Sequence, residues 1–227
     1  MTRARTAGPV LELPEELAPG PPAGPPDLDD RRRRPDPEPR PPAGPVVTNA
    51  RLGMLVFLGA EAMFFTGLIG AFLVFRLGSL TWPPAGQPRL PLLVTGVNTA
   101  VLLASGVTMA RALRAIRGGD RRGLVRGLLV TALLGTIFLT VQGAEWVRLV
   151  HFGLTLTAGI YGSIFYTLIG THGLHVLGAV LWLVVVLAGA ARNRFSAARH
   201  VPLELCGMYW YFVVGLWPIL FALVYLA

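Results

Sequence analysis

The pattern of apolar and polar positions divides this 227-residue chain into a polar beginning and five long hydrophobic segments. Each segment is long enough to cross a bilayer as an α-helix, and short loops rich in arginine, proline or glycine separate them. The pattern predicts an all-α integral membrane protein with one membrane domain, residues 50–227, built as a five-transmembrane-helix bundle. The predicted spans are about 51–75, 92–112, 127–146, 157–190 and 202–226.

The polar beginning, residues 1–49, contains thirteen of the nineteen prolines and the run Arg31–Arg34. It has neither a helical nor an alternating apolar period, and no apolar run of signal-peptide length follows its early arginines. We therefore predict a disordered Pro/Arg-rich tail on the cytoplasmic side of the membrane.

The charge distribution predicts the orientation of the chain. The net charge is +8, but residues 50–227 alone hold thirteen arginines and four carboxylates. Most of these arginines lie in two loops, 111–126 and 192–199, on the same side of the predicted bundle as the N-terminus. The positive-inside rule then places the N-terminus in the cytoplasm and the C-terminus in the periplasm. The basic character is thus a topology signal, and we expect no nucleic-acid partner.

The most distinctive hydrophobic stretch, residues 159–180, combines small residues with two histidines near its middle. In a helix its glycines fall on one side, where neighbouring backbones can approach closely. His172 and His175 project from nearly the opposite side and need polar partners inside a membrane. The predicted helix-packing positions are Gly159, Gly162, Gly170 and Gly173.

The two histidines raise the question of a metal or haem site. Their i, i+3 spacing puts both on one helix face, but a metal needs a third and usually a fourth ligand. His151 and His200 lie near the ends of spans, at the wrong depth. The sequence therefore favours interhelical hydrogen bonds for His172 and His175, and it predicts no metal ligand and no catalytic residue on this chain.

Four carboxylates remain in residues 50–227. Asp120 lies in a basic loop, Glu204 at a predicted helix start and Glu145 near the outer end of the third span. Glu61 is different, because it lies about ten residues into its helix, near the bilayer centre. It is either a proton-handling or ligand-contacting carboxyl, or a neutral acid that joins two helices. We expect it to be protonated unless a donor from another helix reaches it.

Short motifs in all five predicted spans, taken together, resemble one family. They are Arg51–Phe65, Asn98–Thr99, Ser105–Met109, Gln142–Glu145, Tyr161–Phe165, Thr171–Val176, and Glu204, Tyr209, Trp210 and Trp217 in the last span. In this order they are similar to cytochrome c oxidase subunit III, in its five-helix bacterial form. Tyr211 and Val214 stand where the family's last helix has a histidine and an aspartate, so no role that depends on that polar pair is carried over.

The resemblance implies a non-catalytic subunit of a haem–copper respiratory terminal oxidase in the bacterial inner membrane. Such a subunit carries no cofactor itself; haem and copper are expected on partner subunits. Its implied partners are the catalytic subunit I, subunit II and membrane phospholipids. Its implied role is to stabilise the catalytic subunit, bind phospholipid and support proton uptake. We expect Tyr209, Trp210 and Trp217 to contact lipid or another subunit.

Two alternatives remain open from the sequence. Quinol oxidases and nitric oxide reductases have similar accessory subunits, so the electron donor of the complex is not determined. A stand-alone proton-coupled transporter that uses Glu61 is a function of another class. Purification with or without a haem-bearing partner distinguishes it from a component of an oxidoreductase complex.

Overall fold

The structure is a computed structural model that describes residues 49–82, 84, 91–196 and 200–226. The tail that we predict to be disordered lies outside these residues, except for Asn49, which begins the first helix.

All regular elements in the described part of the chain are helices, and five of them are long and apolar enough to span a membrane. The prediction of an all-α, five-span bundle is therefore confirmed, while the orientation of its termini stays a prediction. The helices are α1 (Asn49–Leu77), α2 (Leu92–Arg117), α3 (Arg121–His151), α4 (Ile160–Ala191) and α5 (Val201–Phe221), followed by a π-helical turn (Ala222–Leu226).

Local chemistry explains where three of these helices begin. The side chain of Asp120 accepts a hydrogen bond of 2.9 Å from the amide of Gly123, which caps the first turn of α3. Pro202 lies in the first turn of α5, where its missing N–H costs nothing. The fourth helix starts three residues later than the predicted span, because Gly159 precedes it with a φ of 93°, a backbone conformation that favours glycine.

Helices α4 and α5 form the centre of the bundle: α5 contacts α1, α2 and α4, and α4 contacts α1, α3 and α5. Helix α3 packs between α2 and α4, and α1 packs against α4 and α5. The side chains of Trp210 and Trp217 are almost completely buried where these helices meet. Each indole N–H donates to a hydroxyl of α2: Trp210 to Ser105 at 3.2 Å and Trp217 to Thr99 at 2.8 Å.

This placement corrects our expectation that Tyr209 and Trp210 contact lipid or another subunit, whereas Trp217, expected to do the same, also lines a groove between α3 and α4. All three side chains are buried within the chain. The ring of Tyr209 lies 5.9 Å from the rings of both Phe57 and Trp182. An indole or phenol combines a large apolar surface with one polar group, and the interior of this bundle accommodates both parts.

The glycines of α4 do not form one packing face as predicted. A Cβ on Gly173 would come within 2.7 Å of the Trp146 ring in α3, and a Cβ on Gly162 would collide with the carbonyl of Thr155. Gly159 precedes the helix, and a Cβ on Gly170 would meet nothing within 4 Å. The prediction that Gly170 packs against a neighbouring helix is therefore wrong.

Candidate functional site

The centre of the site is a contact between the two central polar side chains of α1 and α4. The Oε2 of Glu61 lies 2.9 Å from the Nε2 of His175, and both side chains are about one-fifth exposed. Glu61 is twelve residues into α1, about 18 Å along its axis at the helical rise of about 1.5 Å per residue. The contact therefore lies deep within the span.

The hydrogen bonds of His175 determine how many protons this pair holds. Its Nδ1 lies 2.8 Å from the carbonyl oxygen of Thr171, and a carbonyl only accepts, so Nδ1 carries a hydrogen. The short contact between Nε2 and the Glu61 carboxyl then requires one further proton between them. That proton resides either on the carboxyl or on the ring, and the pair is electrically neutral overall in both cases.

Two phenylalanine rings of α1 pack beside the histidine of the pair. The ring of Phe65 meets that of His175 edge-on at 5.0 Å, and the ring of Phe64 stacks on it at 6.2 Å. This apolar shell explains why a single shared proton is needed, because hydrocarbon surroundings disfavour an isolated charge. The group from another helix that reaches Glu61 is thus His175, and whether the shared proton is on the carboxyl or on the ring stays open.

His172 differs from His175 although both lie on α4. Its ring is completely buried and stacks on Trp217 with the ring centres 5.2 Å apart. Neither ring nitrogen has a hydrogen-bond partner within the described residues. The expectation of an interhelical hydrogen bond is therefore wrong for His172, which packs as a flat, uncharged ring in an aromatic interior.

The arrangement does not form a metal centre in the part of the chain that the structure describes. No three of its histidine, cysteine, aspartate and glutamate side chains come together as metal ligands do. Glu61 and His175 supply two donors, and they bind each other. What the pair can do chemically is hold and exchange one proton.

Glu204 forms a second polar cluster at one end of the bundle. Its carboxylate accepts hydrogen bonds from Arg51 of α1 and from Arg117 of α2, the latter at 3.2 Å. The Nε2 of His200 lies 3.1 Å from the same carboxylate. One carboxylate in the first turn of α5 therefore links three helices.

Glu145 and its neighbour Gln142 make separate contacts near the other end of α3. Glu145 is buried and pairs with the exposed Arg148 one turn later at 2.9 Å. The amide of Gln142 donates to the hydroxyl of Tyr225 at 3.1 Å. The Gln142–Tyr225 contact fixes the end of the last span against α3, whereas the Glu145–Arg148 pair lies within α3 and does not include Glu61.

Several of the residues that complete these contacts are absent from our sequence predictions. Arg117 counts in the prediction only as one arginine of the loop 111–126, and Arg51 only as the start of a family motif. Arg76, which donates to the carbonyl of Leu223 at 2.8 Å, has no predicted role. A usable signal exists for Arg51 and Arg117, since both lie at the same end of the predicted bundle as Glu204. No pattern in the sequence connects Arg76 with a backbone carbonyl.

The fold and the site together define a multi-pass membrane protein with a proton-holding pair inside the bundle and no metal centre among the described residues. Comparison with known proteins identifies its family. Residues 43–227 match the family described as cytochrome c oxidase subunit III. The chain belongs to the cytochrome c oxidase subunit III family.

Individual relatives give the same result. The chain is 40% identical over 175 residues to cytochrome c oxidase subunit 3 of Synechocystis sp., an alignment that covers 77% of this chain and 74% of the relative. It is 37% identical over 187 residues to the protein of the same name from Papio hamadryas, covering 80% and 70% of the two chains. The Loxodonta africana protein is 38% identical over 189 residues, covering 80% and 71%.

Proposed function

We propose that this chain is the non-catalytic subunit III of a haem–copper respiratory oxidase, which stabilises the catalytic subunit and supports its proton uptake. The observation that carries this proposal is the Glu61–His175 pair, a proton-holding contact with no third donor for a metal in the described bundle. A pair of this kind accepts and releases a proton without leaving a net charge in the membrane. Haem and copper are then held by the partner subunits I and II.

The same proposal includes phospholipid binding. A groove of about 270 Å³ lies between α3 and α4 and is bordered by Leu139, Gly143, Gly170, Leu174 and Leu177. Its walls are almost entirely apolar, and Gly143 and Gly170 leave room beside the backbone. Such a groove suits one acyl chain of a membrane phospholipid.

The proposed setting is the bacterial inner membrane, with the N-terminus in the cytoplasm and the C-terminus in the periplasm. The supporting observation is that one end of the bundle carries several arginines: Arg111, Arg114, Arg117, Arg121 and Arg122. The positive-inside rule assigns this end to the cytoplasm. A reporter fused to the C-terminus and active only in the periplasm tests the assignment.

Purification tests the oxidase role. The full chain, tagged and extracted in mild detergent, should be recovered with a haem-bearing partner, detected by its absorption spectrum. Recovery of the chain alone, without a haem-bearing partner, would contradict the proposal and favour the transporter alternative. A proton flux assay on the reconstituted chain would then be decisive for that alternative, because Glu61→Gln should abolish the flux.

A variant separates the proton role from assembly. In Glu61→Gln the side-chain amide still donates to His175, but the transferable proton is lost. We expect unchanged haem content and nearly unchanged initial turnover, with a several-fold shorter lifetime of activity during continuous turnover. The control is Glu145→Gln, which removes a carboxylate from the same bundle away from the pair. An equal loss of lifetime in both variants would contradict a specific role for Glu61.

A further inference from the structure

Polar side chains line the outer side of the contact between α1 and α4, deep within both spans. We call this surface the α1–α4 seam, and it comprises Phe57, Glu61 and Phe64 of α1, His175 and Gly178 of α4, and Tyr209 of α5. Glu61 and His175 are about one-fifth exposed, although both lie near the middle of their helices. The ring of Tyr209 reaches the seam, because it lies 5.9 Å from the rings of both Phe57 and Trp182. The seam therefore presents polar groups at a depth where a bilayer consists of hydrocarbon.

Glu61 keeps one acceptor that nothing else in the described bundle uses. Its Oε2 lies 2.9 Å from Nε2 of His175, and its Oε1 makes no hydrogen bond within the described residues. Oε1 is an acceptor whether the shared proton is on the carboxyl or on the ring, because that proton lies between Oε2 and Nε2. The hydroxyl of Tyr209, whose side chain is 9% exposed, likewise has no hydrogen-bond partner in the part of the chain that the structure describes. Lipid tails offer no hydrogen-bonding group, so covering both atoms with hydrocarbon alone costs free energy.

The shape of the seam leaves room for a further helix. Gly178 lies one turn after His175 and is exposed, and a Cβ there would meet nothing within 4 Å. Phe57 and Phe64 lie one turn before and after Glu61, and they are 45% and 48% exposed. A small residue beside a polar side chain is what allows two membrane helices to approach closely and form a hydrogen bond. The seam therefore combines an apolar rim, a close-approach position and unpaired polar atoms.

We propose that a transmembrane helix of a partner subunit covers the α1–α4 seam and presents a hydroxyl or side-chain amide opposite Glu61. Side chains of this kind both donate and accept, so they can donate to Oε1 of Glu61 and accept from the hydroxyl of Tyr209. An acyl chain would cover the same phenylalanine rings but would leave both polar atoms unpaired. The inference rests on the proposed membership of an oxidase complex, and it names the surface through which a neighbouring subunit is held.

Photo-cross-linking tests the identity of the occupant. The complex is purified with the tagged full chain, which carries benzoylphenylalanine in place of Phe64. Illumination should join this position to a membrane helix of a partner subunit, and mass spectrometry of the adduct should find Ser, Thr, Asn or Gln within one turn of the joined residue. The control carries the same cross-linker in place of Ile137, which is 47% exposed and lies on α3, and it should not yield the same peptide.

The other outcomes of the cross-linking overturn the proposal. An adduct with phospholipid alone would identify lipid as the occupant of the seam. An adduct with a second copy of this chain would identify a contact between copies instead. A partner helix without a hydroxyl or amide near the joined residue, or no adduct at all, would contradict the hydrogen bond to Glu61.

A steric variant tests the same surface independently. Gly178→Leu fills the close-approach position and should lower recovery of the cross-linked subunit with the tagged chain about tenfold. The matched control is Gly215→Leu, at an equally open glycine about 120° around α5 from Tyr209, and it should retain recovery within about twofold. Equal losses in the two variants would contradict a specific role for the seam. Thermal unfolding shows whether each bundle is intact, and the cross-link from Phe64 remains decisive if Gly178→Leu unfolds.

Failure of this inference is distinguishable from failure of the oxidase proposal. Recovery of the wild-type chain without a haem-bearing partner would contradict both. Recovery with a haem-bearing partner, together with a cross-link from Phe64 to lipid alone, would contradict only the helix that we place on the seam.

Discussion

Helices α1 and α5 are held in the bundle by different means. Only 11% of the most apolar stretch of α1 is buried within the chain, compared with 44% for the last span. Helix α1 instead makes polar contacts at three levels: Arg51 with Glu204, Glu61 with His175, and Arg76 with the carbonyl of Leu223. Helix α5 is held by buried aromatic rings and by indole–hydroxyl bonds to α2.

The difference between α1 and α5 follows from the lipid that surrounds membrane helices. Lipid tails are as apolar as leucine, so an apolar face alone gives two membrane helices little reason to associate. Close packing and hydrogen bonds provide the attraction, and α5 uses both. Helix α1, with few buried side chains, depends on its three polar contacts for its position beside α4 and α5. The comparison predicts that core substitutions in α5 cost more than single polar substitutions along α1.

The largest effect is expected at Trp217, the residue that joins α5 to α2 and stacks on His172. Trp217→Ala removes a fully buried ring and leaves the hydroxyl of Thr99 without its donor. It should lower the free energy of unfolding by about 3–5 kcal/mol, measured by denaturation in mixed micelles. Trp217→Phe retains most of the ring and should lose about 1–2 kcal/mol. A loss below about 1 kcal/mol in Trp217→Ala would contradict the packing account of α5.

The second-largest loss of stability is expected at Glu204, through which α5 contacts Arg51 of α1. Glu204→Gln removes the negative charge that faces Arg51 and Arg117 and should cost about 1–3 kcal/mol of unfolding free energy. The control is Asp120→Asn, which removes a carboxylate from the same end but keeps a good helix cap. If Glu204→Gln and Asp120→Asn lower the free energy of unfolding equally, the contacts of Glu204 do not hold α1 in its position.

The architecture was predictable from the sequence because hydropathy and helix length determine it. Five spans follow from apolar runs, and their approximate limits follow from loops with arginine, proline and glycine. The depth of Glu61 was predictable for the same reason, since the helical rise converts sequence position into distance. Its partner His175 was not, because which helices become neighbours depends on the packing of the whole bundle.

The wrong predictions have a common physical cause. Trp210 was expected to contact lipid or another subunit, yet the hydroxyl of Ser105 on α2 supplies an acceptor for its indole in the core. His172 was assigned a hydrogen bond, but aromatic stacking occupies its surroundings. The helical period shows which residues share a face, but it does not show what chemistry the opposing face offers.

A smaller effect is expected at the central contact of α1. Glu61→Leu removes the hydrogen bond to His175 and should cost about 1 kcal/mol of unfolding free energy, the scale of interhelical hydrogen bonds in membranes. Glu61→Gln keeps a donor for the ring and should cost less. A loss in Glu61→Leu as large as that of Trp217→Ala would contradict the proposed division between the two helices.

The smallest effect is expected at Gly170, and it tests how the groove between α3 and α4 is built. A methyl group at this position meets nothing within 4 Å, so Gly170→Ala should change the unfolding free energy by no more than about 0.5 kcal/mol. Gly173→Ala is the matched control, one turn away, where the new methyl group would press against Trp146. It should cost about 1–3 kcal/mol because the indole must move. If Gly170→Ala is the more harmful of the two, then another helix or a partner subunit packs against Gly170, and the groove does not face lipid.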